Sequence, residues 1–247
     1  MKKFGIALFS SVLLMSAGSS VFAEGEKVIA IKELLTLQFQ QVDVANLSDV
    51  EKSFVNIAKE HKGIHRLGSL YVIALGPKPN TGYGIRLEKQ EQTFEQLKIH
   101  VKLLEPEQGK AYGQVITYPY IVGKVDLPQY TTLSVLDVDS KKPIFDENHF
   151  KLFFKEKRIT ADTRRNWAIY TGKKLTQADL ATYKITIKQL GDEGKELPVT
   201  LTIDKKNSSK IIVKPNEPYK KGALYLLQTV NMGKNDTAMT VTPFEVK

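Results

Sequence analysis

The residues best spaced for chemistry are His61 and His65, four apart, and Asp137 and Asp139, two apart. Two histidines at that interval on one helix face can share a zinc ion, with a glutamate beside the first as general base. Here Lys62, Gly63 and Ile64 fill the interval, no Glu holds the required position, and Gly63 predicts the end of a helix. The histidines therefore read as a surface pair. Asp137 and Asp139 fall on one strand face, but a calcium loop needs further oxygen ligands and a glycine at set offsets, so no metal is expected. No GxSxG, HExxH or Walker-type phosphate loop occurs, and with 0 Cys there is no thiol nucleophile. The chain reads as a non-enzyme without a cofactor.

One loop has the composition of a recognition element. Gly76-Pro-Lys-Pro-Asn-Thr-Gly-Tyr-Gly84 is stiffened at its prolines and bent at its glycines, so little entropy is lost when it binds. Its candidate binding residues are Pro79, Asn80, Thr81, Gly82 and Tyr83. Two placements of Tyr83 stay open: offered at a sheet rim, or packed inward while Thr81-Gly82-Tyr83 closes a turn.

The elements that must hold this loop are mostly strands. Tyr71-Val-Ile-Ala-Leu75 is apolar on both faces, as in a central strand, and leads through the loop to a neighbour at 83–88. Residues 97, 99, 101 and 103 are apolar and alternate with Lys98, His100 and Lys102, giving one buried and one wet face. Further strands are expected at 34–42, 115–118, 120–125 and 132–138. Ser48-Asp-Val-Glu51 is a capping box that predicts one helix over 49–62. From Phe150, seven alternating segments, at 150–154, 167–170, 183–190, 199–204, 210–214, 223–230 and 238–246, suggest an immunoglobulin-like sandwich with Trp167 as core filler. The fold class is thus mainly β. A small sheet or barrel-like domain with one helix (24–146) precedes an Ig-like β-sandwich (147–247), the join lying in the polar stretch around Pro143.

Lys2 and Lys3, an apolar run from Phe4 and the small residues before Ala23 have the layout of a cleaved signal peptide over 1–23, of bacterial type. The mature chain is expected to be exported to the exterior or the cell envelope, with no transmembrane helix. Without cysteine it must be held by core burial alone. Asn46, Asn207 and Asn235 open Asn-x-Ser/Thr triplets, which matter only in a glycosylating pathway. Of the net charge of +9, residues 24–146 contribute almost none, with 15 Lys/Arg against 16 Asp/Glu, while residues 147–247 carry 19 against 11. That asymmetry suits an anionic cell-wall polymer rather than nucleic acid, and the candidate basic surface is Lys173, Lys174, Lys205, Lys206, Lys220 and Lys221. The plainer alternative is a solvated lysine surface in turns.

The stretch from Leu70 to Val125, with GPKPNTGYGI, LKIHVKLLEP and ITYPYIVGKV in that order, resembles the C-terminal domain of the PrcB family, named for an accessory subunit of a secreted subtilisin-like protease complex. Gly76, Thr81, Gly82, Tyr83, Pro106, Tyr118 and Pro119 match its motif positions. The resemblance implies an exported, non-enzymatic protein-binding module, accessory or stabilising to an extracellular or envelope protease. PNTGY is also similar to the loop of chagasin-type protease inhibitors, which keeps an inhibitor open as the alternative, beside a structural or adhesive envelope protein. In the second half, FKLFFKEKRITADTRRNWAIY and IIVKPNEPYKKGALYLLQTV, with Tyr219, Gly222 and Tyr225, resemble an SbsA-type Ig-like domain.

Overall fold

The Ser48 box closes as the spacing predicts. Glu51 N–H donates to the Ser48 hydroxyl, Ser48 N–H donates to the Glu51 carboxylate at 2.9 Å, and helix α1 (Asp49–Ala58) follows. The helix stops at Ala58 rather than at 62. Residues Gly63–Leu67 are instead taken up as strand β2, paired with β3 (Leu70–Ala74), so Gly63 opens a strand and does not cap the helix. The sequence pattern misses β2 because its inward position is a histidine: His65 is 2% exposed.

Glu51 does a second job. Its carboxylate meets Lys124 Nζ at 2.7 Å, tying the start of α1 to strand β6 (Tyr120–Lys124). The Lys124 ammonium first, then the Ser48 N–H, hold its pKa at about 2 against an ordinary 4.5. A carboxyl depressed on folding stabilises above its unfolded pKa, and that stability is lost as pH falls from about 4.5 through about 2. Glu51→Gln is therefore expected to cost about 1–2 kcal/mol at pH 7, the pair bordering solvent. In urea titrations the gap between variant and parent should close by about pH 2; a gap that persists there would show the loss is packing rather than charge.

The computed structural model describes residues 37–93, 95–146, 150–191, 195–232 and 238–247, of which Gln38–Lys247 form one unit. The expected leader over 1–23 and the first residues of the strand expected at 34–42 lie outside them; β1 is Gln40–Gln41. Sheet order β1-β6-β3-β2 places β3, buried along its whole length, centrally as its two-faced apolar sequence requires. Within β6, Gly123 leaves room for the Phe39 ring, which a Cβ at that position would overlap. A second sheet joins β4 (Gly84–Gln92), β5 (Gln96–Leu104) and β7 (Thr132–Asp137), with Leu97, Ile99 and Val101 buried and β7 parallel to β5. The strand expected at 115–118 does not form. Thr117 makes one bridge to Lys78, and Val115 and Ile116 stand exposed because no strand edge faces them there.

The second half supplies β8 (Lys151–Phe154), β9 (Arg158–Thr160), β10 (Trp167–Tyr170), α2 (Gln177–Leu180), β11 (Tyr183–Gln189), β12 (Glu196–Leu197), β13 (Val199–Ile203), β14 (Lys210–Pro215), β15 (Leu224–Asn231) and β16 (Ala238–Val246). All seven expected segments are strands. The additions, β9, β12 and α2, are too short to show a period, although Thr176 and Asp179 form a second capping box that starts α2. A three-stranded sheet, β10-β14-β13, faces the larger sheet β12-β11-β15-β16-β8, to whose β16 strand β9 also pairs. Between them lie Trp167, Ile211 and Val213 from one side and Ile187, Tyr225 and Phe244 from the other. Trp167 sits 4.6 Å and Tyr225 5.3 Å from the Phe244 ring, so Trp167 is the core filler its phase predicted. The protein is mainly β.

Leu226, Val241 and Leu152 belong to a different buried cluster, with Phe54, Val55 and Ala58 of α1 and Leu70, Val72 and Val122 of the first-half sheet. Phe54 meets Phe154 edge-on at 5.4 Å. One core therefore draws on residues from both sides of the boundary expected at 146. Among the described residues, no helix is long and apolar enough to cross a membrane.

Candidate functional site

The loop between β3 and β4 does not stand alone. It is fastened along its length to the segment between β5 and β6. Leu75 N–H donates to Pro119 O at 3.0 Å, Lys78 and Thr117 exchange both backbone bonds at 2.8 and 2.9 Å, and Thr117 Oγ1 donates to Asn80 O at 2.9 Å. Further along, Thr81 N–H donates to Gly113 O, and Gly113 N–H donates back to Thr81 Oγ1 at 3.0 Å. Within the loop, Asn80 Oδ1 accepts from Gly82 N–H at 2.9 Å, an Asx turn that sets the bend.

The glycines fit this close approach. A Cβ on Gly82 would lie 2.9 Å from Pro106 Cγ and 3.0 Å from Tyr112 Cδ1, and one on Gly84 3.0 Å from the Leu104 side chain. Gly76, at φ +68°, turns the chain out of β3 in a conformation glycine adopts without strain. Tyr112 in turn accepts at its hydroxyl from Glu107 N–H at 3.0 Å. The motif positions Gly76, Thr81, Gly82, Pro106 and Pro119 are thus brought together by contacts between segments distant in the chain, from Gly82 against Pro106 to Leu75 against Pro119.

Pro79 and Thr81 are exposed and Asn80, Gly82 and Tyr83 half-buried. The Tyr83 ring is neither free nor sealed, and Lys78 Nζ lies over its face at 5.3 Å. Beside the fastened loops stand Leu104, Val115 at 59% and Ile116 at 66% exposed. Sequence reasoning missed these three because they read as ordinary strand residues.

The residue pairs singled out by spacing are used structurally. His65 and His61 are not a surface pair, because β2 turns His65 into the core while the His61 ring stacks on Phe150 at 3.7 Å. The His65 Nε2 to His61 O distance of 2.7 Å puts the proton on Nε2, since a carbonyl only accepts. Asp137 caps a turn by accepting from Ser140 N–H at 2.9 Å, which lowers its pKa, and Asp139 pairs with Lys102. Among the described residues, no three His, Asp or Glu side chains gather as a metal site.

The six candidate lysines are all exposed, but they divide between two places. Thr171 N–H donates to Ser209 O and Leu175 N–H to Ser208 O, so the turns bearing Lys173, Lys174, Lys205 and Lys206 are clipped together. Lys173 is already neutralised by Asp179 at 2.6 Å. Lys220 and Lys221, beyond the far end of β14, line a cleft of about 610 Å³ with Asp49, Lys52 and Asn56 of α1.

A family model described as PrcB C-terminal matches residues 69–126, a span that contains both fastened loops and the strands β3, β4, β5 and β6 that carry them. No curated protein and no solved structure matches the chain.

Proposed function

We propose that this chain is an exported, non-catalytic docking module whose fastened loop pair, centred on Tyr83, holds a protein partner of the secreted subtilisin-like protease class as an accessory or stabilising subunit. The observation that carries the reading is the coincidence of three things in residues 69–126: the PrcB C-terminal match, the cross-fastened loops, and the exposed Leu104, Val115 and Ile116 beside them. Fastening before encounter leaves less conformational entropy to lose on binding. Export follows the leader at 1–23, with the mature chain starting at Glu24; N-terminal sequencing of the secreted protein checks that start.

The test is capture of a subtilisin-like protease by the purified mature chain, followed by titration. Tyr83→Ala and Ile116→Asp are each expected to weaken binding about 30-fold, as loss of an anchor worth about 2 kcal/mol. A partner bound equally well by both variants places the interface elsewhere. Protease activity decides the role: a complex that cleaves at the free enzyme's rate or faster supports the accessory reading. Stoichiometric inhibition supports the alternative drawn from the chagasin-like PNTGY stretch.

A further inference from the structure

The outward face of β10-β14-β13 has a different chemistry, independent of the docking loops. Alternation sends Trp167, Ile211 and Val213 into the core and leaves Tyr170, Lys210 and Lys214 on the other side. Tyr170 is 70% exposed and pairs in register with Lys210, whose ammonium lies 5.0 Å from the ring centroid. Lys214 follows on the same face, about 13 Å along the strand. The row is extended at the Tyr170 end by Lys174, Lys205 and Lys206, brought there by the clipped turns.

Among the described residues, the carboxylates paired at this end are Asp204, 3.7 Å from Lys210 and held by Lys206 N–H, and Asp179, which takes up Lys173 at 2.6 Å. Lys174, Lys205, Lys206 and Lys214 have no ion-pair partner among the described residues. The third strand adds Thr200 and Thr202, opposite Lys214 and Ile212, which are neutral and hydrogen-bonding. The face therefore carries lysines and one aromatic plate, with Ala168 and Ile212 between Lys210 and Lys214 on the same side.

We infer that this face binds a linear, base-free phosphodiester polymer. The row's cations are lysines, which take phosphate as point charges without the planar fork that arginine offers to carboxylate and phosphate alike. A single aromatic gives the polymer's carbon backbone something to lie on, but does not form the series of plates on which successive nucleic-acid bases stack. Charge complementarity then selects a polyanion whose phosphates repeat along a chain, and long-range attraction concentrates it at this face.

The experiment titrates the full mature chain with poly(glycerol phosphate) at 50 and 200 mM salt, with oligo(dT) and poly(glutamate) of matched charge in parallel. Four neutralised phosphates predict a loss of roughly 50-fold in affinity across that salt range. Lys214→Glu on the strand and Lys205→Glu/Lys206→Glu in the turn, as separate variants so that each checks the other's folding, are expected to weaken binding at least 10-fold and flatten the salt dependence. Lys220→Glu/Lys221→Glu, outside this face, should leave binding unchanged. No binding at 50 mM salt, equal losses in the Lys220/Lys221 variant, or tighter binding of oligo(dT) or poly(glutamate) would each overturn the assignment.

Discussion

Phe54→Ala is expected to destabilise the whole protein, including the sandwich that Phe54 does not itself belong to, by about 3–5 kcal/mol. The ring is fully buried in α1, meets Phe154 of β8 edge-on at 5.4 Å, and lies in one cluster with Leu70 and Val72 of β3 and Leu226 and Val241 of the large sheet. Truncation leaves a cavity where three elements meet, and none can close it without moving the other two. The protein carries its own reporter for this, because its single tryptophan, Trp167, sits in the other core, between the two sheets of the sandwich. Thermal unfolding followed by Trp167 emission should shift down by roughly 6–20 °C in the variant. An unmoved tryptophan transition, with only the helix signal lost early, would show that the halves unfold separately and that the cluster does not couple them.

Gly82→Val is expected to open the fastened loops and weaken the proposed partner binding while leaving the sandwich intact. Its added atoms would enter space already held by the Pro106 ring and Tyr112, at 2.9 to 3.0 Å from the first carbon alone. A proline ring cannot rotate away, so the backbone must yield. Overpacking of this kind costs about 1–3 kcal/mol. The loops meet that cost by giving up the Thr81–Gly113 and Asn80–Thr117 bonds at the rim rather than by disturbing β3 or β5. Amide exchange should accelerate in 76–84 and 106–119, with Trp167 emission unchanged. Capture of the proposed protease partner should fall at least 10-fold, since an unfastened loop must be ordered again on binding. Retained binding with accelerated exchange would separate loop order from recognition.

The loop itself was legible in the residues, and its fastening was not. Two prolines and three glycines in nine residues announce a stiff, bent connection, and the alternation of 97–103 announces the strand that follows. Nothing in the run from Tyr112 to Tyr118 announces that Gly113 and Thr117 bond to Thr81, Asn80 and Lys78. Val115 to Tyr118 has the composition of a strand, and reads as one until its missing partner leaves Val115 and Ile116 bare. His65 errs the other way: its type says surface, and only the pairing of β2 with β3 turns it inward.

By its residues alone this chain determined its helix start, its strand phases, its dependence on core burial without disulfides and the basic bias of its second half. Each of these is written in neighbours two to four positions apart, where hydrogen-bond reach and side-chain period act directly. Which strands share a sheet, which loops lock together and how one core joins the two halves were decided by tertiary structure. Those contacts depend on which distant surface is left to cover a given apolar face, and local spacing does not carry that information.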